Sequence, residues 1–252
     1  MRLALLQAPS PAGDDDAAFA TLAAALKSAA AMGAAILTAP EVYLPGYNQP
    51  DIPARAQPRG GAWHQRLATL CRDAGCGVVM GYAERAGERV YNSAIAIDAA
   101  GREIAHYRKL QLYGPRENAI YTQGDAYTLF NLNGRTAALL ICYDIEFAPH
   151  IAALAARGAN LVLCPTANMA PFTHVARVTV PAMAVNHNVT IVYANYCGSE
   201  GDLDYVGSSL IAGPDGETLA QAGAHPALLI ADLPAAYDPS RLSTQARDLR
   251  TL

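Results

Sequence analysis

The stretch LLICYDIEF, residues 139–147, places Cys142 at the end of an apolar run with two carboxylates close behind it. A free cysteine is most often a buried core residue. A nucleophilic thiol needs two companions: a base to take its proton, and a fixed donor for the oxyanion that forms on a carbonyl substrate. Glu41, which closes AILTAPE, and Lys109, which follows EIAHYR, are of those types. Taken singly, Glu41 reads as a loop carboxylate after a proline, and Lys109, beside Arg108, as solvated surface. Taken together they point to chemistry. All three stand where a predicted strand ends, and the carboxyl ends of strands are where α/β folds assemble sites.

The elements that must position them follow from a repeated pattern. RLALLQA leads through an Ala-rich stretch, Asp16 to Met32, to GAAILTAPE; RTAALLICYD leads through IAALAARGA to NLVLCPTAN. Each reads as strand, helix, strand, with the helix stopping at Gly33 or Gly158. Such units call for a right-handed crossover between strands buried on both faces. Asp14–Asp16 reads as the cap and first-turn charge of the first helix, not as a metal site. GVVMGYAER, VYNSAIAID and EIAHYRKL lie between the halves. VTIVYANYC, SSLIAGPDG and LLIADL follow the second. All read as strands, with turns at 98–101 and 213–216. The prediction is an α/β fold: one domain over 1–252, two sheets face to face, helices outside each, a four-layer α-β-β-α sandwich with internal pseudo-twofold duplication.

Composition narrows the class. The chain has 252 residues, half of them apolar, and a net charge of −4, so it is globular and carries no basic stripe for nucleic acid. No apolar run reaches membrane-spanning length, and MRLALLQAPS reads as a first strand, not a leader. Five cysteines without a framework point to a reducing, cytoplasmic setting. Cys71 and Cys76 lack zinc-ligand spacing. The six histidines are scattered, and Trp63, the only tryptophan, reads as a packing anchor.

APEVYLPGY (39–47), YRKLQLYGPRE (107–117) and LLICYDIEF resemble, in order and spacing, the three motifs of the nitrilase superfamily, the carbon–nitrogen hydrolases. With the strand pattern the resemblance covers nearly the whole chain. It implies Glu41 as general base, Lys109 as oxyanion donor, Cys142 as nucleophile, and Glu117 as a second glutamate that orients the amide and holds Lys109. The backbone N–H of Tyr143 would share the oxyanion. Lys109 and the helix start after Phe147 would favour the thiolate. Neither metal nor organic cofactor is implied. A homodimer or larger homo-oligomer built through outer-layer helices is. One stretch departs from the pattern: PAMAVNHN (181–188) sets Asn186 and His187 where relatives carry Glu and Asn, so a charged pair supporting the site or an interface is expected to be missing.

LICYDIEF, PTANM, VYANYCG and GPDG together resemble the 5-aminopentanamidases. That implies a small aliphatic, amino-substituted amide as substrate. An N-carbamoyl-amine hydrolase with the same Glu-Lys-Cys set stays open, as does a non-catalytic scaffold or ligand-binding member of the fold. Glu117 argues against a nitrile. Tyr113, Asn168 and Phe172 are candidate pocket residues. Glu200, Asp202 and Asp204, in the Gly-rich loop 198–207, are candidates for reading a substrate ammonium.

Overall fold

The structure, a computed structural model, describes residues 1–250. The chain forms β1 (Arg2–Gln7), α1 (Asp15–Ala31), β2 (Ile36–Thr38), α2 (Ile52–Arg55), α3 (Ala62–Ala74), β3 (Gly77–Ala86), β4 (Arg89–Ile97), β5 (Glu103–Arg108) and α4 (Gly114–Ile120). The second half continues with β6 (Leu129–Leu132), β7 (Arg135–Leu139), α5 (Ala148–Ala156), β8 (Leu161–Pro165), α6 (Val180–His187) and β9 (Thr190–Ala194). Then come β10 (Cys197–Glu200), β11 (Leu203–Val206), β12 (Leu210–Ala212), β13 (Thr218–Gln221), β14 (Ala227–Asp232) and α7 (Gln245–Asp248).

Two six-stranded sheets carry the fold, ordered β14-β1-β2-β3-β4-β5 and β6-β7-β8-β9-β12-β13. The duplication is exact in direction. In each sheet the first pair is antiparallel, the next two parallel and the last two antiparallel. Alternation along β1 shows the layers. Leu3 and Leu5 enter the core shared with the second sheet, whereas Ala4 and Leu6 pack with Phe19, Leu22 and Leu26 of α1. On the far side, Ile151 and Leu154 of α5 and Val180 and Ala184 of α6 join the core of the second sheet. The result is the predicted four-layer sandwich.

Local signals act as expected at several points. Asp14 caps α1, its Oδ1 accepting from Ala17 N at 2.9 Å, and Gly33 (φ +77°) follows the helix end. Trp63 is buried and donates its Nε1–H to Asp15 at 2.9 Å, tying α3 to α1. Three features differ from expectation. LLIADL becomes β14, but it leaves its own half and pairs with β1 at the edge of the first sheet. The short strands β6 and β13 had no clear signal. The segment 198–207 is not a loop: β10 and β11 form a separate two-stranded hairpin. Its glycines Gly198, Gly201 and Gly207 all take positive φ, so the loop-like composition serves a tight hairpin. No described helix is long and apolar enough to cross a membrane.

Candidate active site

Glu41 is set by the strand end before it. After β2 the chain runs on beside β3, with Ala39 N donating to Val79 O, Gly81 N to Pro40 O and Tyr43 N to Gly81 O at 2.8–3.0 Å. Gly81 permits this approach: a Cβ there would stand 2.4 Å from Val42 N and 2.6 Å from the Glu41 Cα. Val42 is held at φ +41°, a conformation that a β-branched residue adopts only under constraint. Lys109 leaves the end of β5, its N–H bonded to Asn92 O of β4 at 2.9 Å and its carbonyl to Gly124 N at 2.8 Å. Gly124 must be glycine, because a Cβ would come within 2.2 Å of Arg108 O.

Cys142 opens a 3-10 turn, Cys142–Glu146, directly after the β7 strand end. Its φ is +45°, so the nucleophile candidate itself occupies a strained position. Asp144 anchors this turn. Its carboxylate accepts from Ile141 N (3.0 Å), Gln111 N (2.8 Å) and Tyr107 OH (2.8 Å), which binds the cysteine turn to the segment carrying Lys109.

The three charged groups then close on one another. Lys109 Nζ donates to Glu41 Oε1 at 2.6 Å and to Glu117 Oε1 at 2.8 Å. Asn92 Nδ2 donates to Glu41 Oε1 at 2.7 Å, and Tyr47 OH to Glu117 Oε1 at 2.7 Å. Glu117 Oε2 accepts from Tyr113 N at 2.9 Å. All three are at most 2 % exposed. The second Glu41 oxygen, Oε2, is buried with no hydrogen-bond partner among the described residues. An unpaired buried acceptor is costly, so this oxygen is the one available to a thiol, an amide nitrogen or a water.

Burial, assisted by Glu117 and opposed by Lys109, raises the Glu41 carboxyl to about 7. Burial works against the Lys109 ammonium too, but Glu117 and Glu41 outweigh it and hold that group charged well above its ordinary range. Cys142 is pushed well up, by burial first and by the Glu41 carboxylate second, with Lys109 opposing. This runs against the expected thiolate, because the Lys109 charge that would favour it is shared by two carboxylates. The arrangement suits a base that takes the thiol proton as the sulfur attacks, since a carboxyl near 7 can both accept and return a proton at neutral pH.

Cys142 lies in the wall of a cleft of about 230 Å³. Tyr47, Tyr113, Tyr143 and Phe172 give it aromatic sides, and Ala167, Asn168 and Met169 another. Tyr113 meets Tyr143 and Phe172 edge-on, with ring centres 5.3 and 6.0 Å apart. Asn168 also shapes the loop after β8, its Nδ2 bonding Phe172 O at 3.0 Å. Tyr113, Tyr143, Asn168 and Phe172 are thus brought together with Cys142. The acidic hairpin is not. Glu200 is buried and accepts from Gln49 Nε2 (2.6 Å) and Tyr205 OH (2.6 Å), and Asp204 accepts from Ser199 Oγ (2.5 Å). Asp202 bonds Asn48 at 2.8 Å and reaches only an adjoining outer cleft with Arg116. Asn186 and His187 lie in a groove between α5, α6 and α7, away from this cleft. Glu146 and His174 complete the cleft wall and were missed. The signal for Glu146 was its place four residues after Cys142; that for His174 was its place beside PTANM. Among the described residues no group of His, Cys, Asp and Glu is placed to hold a metal ion.

Comparison with known proteins agrees with this geometry. Residues 2–239 match the family model of carbon–nitrogen hydrolases. A hydrolase encoded in the pqqF 5′ region of Pseudomonas protegens is 41% identical over 207 residues, covering 81% of this chain and 73% of that one. An (R)-stereoselective amidase of Pseudomonas sp. is 34% identical over 190 residues, covering 75% and 69%. The amidase of Nesterenkonia sp. AN1 superposes with TM-scores of 0.90–0.91 at 36% identity, over 99% of this chain and 94–96% of its own. Its structures include one with acrylamide added at the active-site cysteine and one in complex with butyramide. The chain belongs to the carbon–nitrogen hydrolase family and is an amidase of the nitrilase superfamily.

Proposed function

We propose that the chain hydrolyses small aliphatic amides bearing a terminal amine, of the 5-aminopentanamide type, to carboxylate and ammonia through a thioester on Cys142. The observation that carries this reading is the open Glu41 Oε2, buried beside a charged Lys109 and the cysteine turn. The Cys142 sulfur bonds to the amide carbon while Glu41 takes the thiol proton. The developing oxyanion is stabilised by the Lys109 ammonium and the Tyr143 N–H. Glu41 then gives its proton to the nitrogen, the C–N bond breaks, and ammonia leaves. A water loses its proton to Glu41 and attacks the thioester; the C–S bond breaks, the acid is freed, and the thiol is restored. Glu117 holds Lys109 in line and faces the amide. Relatives support the small-amide part of this reading: the Nesterenkonia amidase is seen with butyramide and acrylamide, and another relative is a stereoselective amidase; the terminal amine rests on the sequence resemblance alone.

The test is ammonia release from butyramide, pentanamide and 5-aminopentanamide, with mass spectrometry of the quenched enzyme. An acyl adduct on the peptide containing Cys142 is expected. An adduct on Cys164 or Cys197, or release from N-carbamoyl amines alone, would overturn the reading.

A further inference from the structure

Cys142 and Glu146 open and close the same 3-10 turn. Such a turn rises about 2 Å per residue, so the two backbones stand roughly 8 Å apart, the scale of a short methylene chain. It also repeats every three residues, which puts Tyr143 and Glu146 on one face. Both line the cleft, while Asp144, on the other side, is bound to Ile141, Gln111 and Tyr107. Glu146 is the one acid in the described cleft wall. No described ion pair holds it, whereas Asp15, Glu84 and Glu103 each meet an arginine.

The cations near Glu146 leave it open. Lys109 is engaged by Glu41 and Glu117, and His174 faces it from the loop after β8 without an ion pair. Tyr113, Tyr143 and Phe172 line the same cleft as the nucleophile and this acid and give a methylene chain an apolar bed. The outer acids are unsuited: Glu200 and Asp204 are bonded within and beside the hairpin, and Asp202 to Asn48.

We propose that Glu146 selects the substrate, its carboxylate receiving the ammonium of a short amino-amide whose carbonyl sits at Cys142. This inference rests on the amidase reading above and names the residue behind its substrate preference. Partial burial, which raises the Glu146 carboxyl, also strengthens a charge-assisted hydrogen bond made there.

The experiment compares kcat/KM for 5-aminopentanamide and pentanamide in the wild type, Glu146→Gln and Glu146→Asp. Glu146→Gln should cut the amino-amide relative to the neutral amide by about tenfold or more, mainly through KM, as expected for loss of a bond to a charged group. Glu146→Asp, which keeps the charge, should recover part of the ratio. A second arm measures calorimetric binding of both amides in a Cys142→Ala background, with and without Glu146→Gln. There the amino-amide should again weaken by about tenfold or more. An unchanged ratio, whether both amides fall together or neither moves, overturns the proposal. If the wild type turns over neither amide, the amidase reading fails, and the binding arm alone decides the role of Glu146: weaker amino-amide binding upholds it, and equal binding ends it.

Discussion

β1 and β7 hold the same place in their sheets, each with an antiparallel strand on one side and a parallel one on the other. With Leu3 and Ile36 aligned on Ala137 and Leu161 through the strand registers, Ala8 falls where Cys142 stands and Thr166 where Glu41 stands. The two β2-type ends meet, Glu41 N donating to Thr166 O at 3.3 Å. One set of strand ends carries a buried carboxylate, a buried ammonium and a strained cysteine. The other carries a neutral network. Gln7 Nε2 bonds Gly223 O and His225 O, and Gln7 Oε1 accepts from Ser209 N. Ser209 Oγ accepts from Asn195 N, and Asn195 Nδ2 bonds Asn168 O and Gly207 O. The scaffold therefore does not dictate reactivity. Ionised groups at a strand end do, and where neutral groups stand in their place, with the Thr166 hydroxyl left unpaired among the described residues, the same geometry only braces the fold.

The sharpest break of this contrast is Cys142→Ala. It should lower turnover by roughly three orders of magnitude or more while thermal unfolding stays near wild type, because the reaction loses its nucleophile. Ammonia assays and calorimetry check both halves of that statement. Next in size is Lys109→Arg. It keeps the charge but forces a planar fork into a space closed by two carboxylates, and should cost about 10²–10³ in kcat/KM through a misplaced oxyanion donor. Glu117→Gln removes one of the two anions holding Lys109 and should reduce kcat by roughly ten- to a hundredfold, within the range of misplaced positioning groups. Iodoacetamide should still alkylate Cys142 in that variant; loss of alkylation as well as turnover would mean that the cleft has collapsed.

Glu41 yields a pH signature. Its carboxyl is raised to about 7 and must be ionised to take a proton. For pentanamide, which has no titrating group, kcat/KM should be flat above that pH and fall about tenfold per unit below it. An acid limb near the ordinary carboxylate range would show that burial does not set this base. The smallest effect on activity belongs to the other strand end. Gln7→Ala leaves Ser209 N, Gly223 O and His225 O without their partner and should cost about 1–3 kcal/mol of stability. It should change kcat/KM by less than about threefold, as expected for a residue outside the reacting groups.

Much of this contrast was legible before folding. Glu41, Lys109 and Cys142 could be picked out because residue type and strand end are both local properties, and the two strand–helix–strand units announced the layers. Glu146 carried only its spacing from Cys142 as a signal, because its place in the cleft wall depends on the φ of Cys142 and on a 3-10 instead of an α turn. Under helical periodicity it would have been set one turn back over Cys142. The acids of 198–207 drew attention through composition, yet Glu200 is consumed by Tyr205 and Gln49, partners that no local pattern connects. The raised Cys142 thiol was missed for a related reason: Glu117 was already expected on Lys109, but how far two carboxylates and burial outweigh that charge is a property of the folded site.

The edge strand β14 carries a consequence for how the molecule is made. Arg2 reaches Asp232 across 230 residues of chain, and the whole of β1 from Arg2 to Gln7 is paired to β14. On a ribosome β1 emerges well before β14 and waits for it as a partner. Contacts so distant in sequence are slow to form, and an unpaired strand edge is prone to capture by other chains. The nascent first sheet therefore passes through a stage with β1 as an open border. Trp63, between α1 and α3, reports docking of that layer by its fluorescence. In refolding experiments its signal should mature before amidase activity returns.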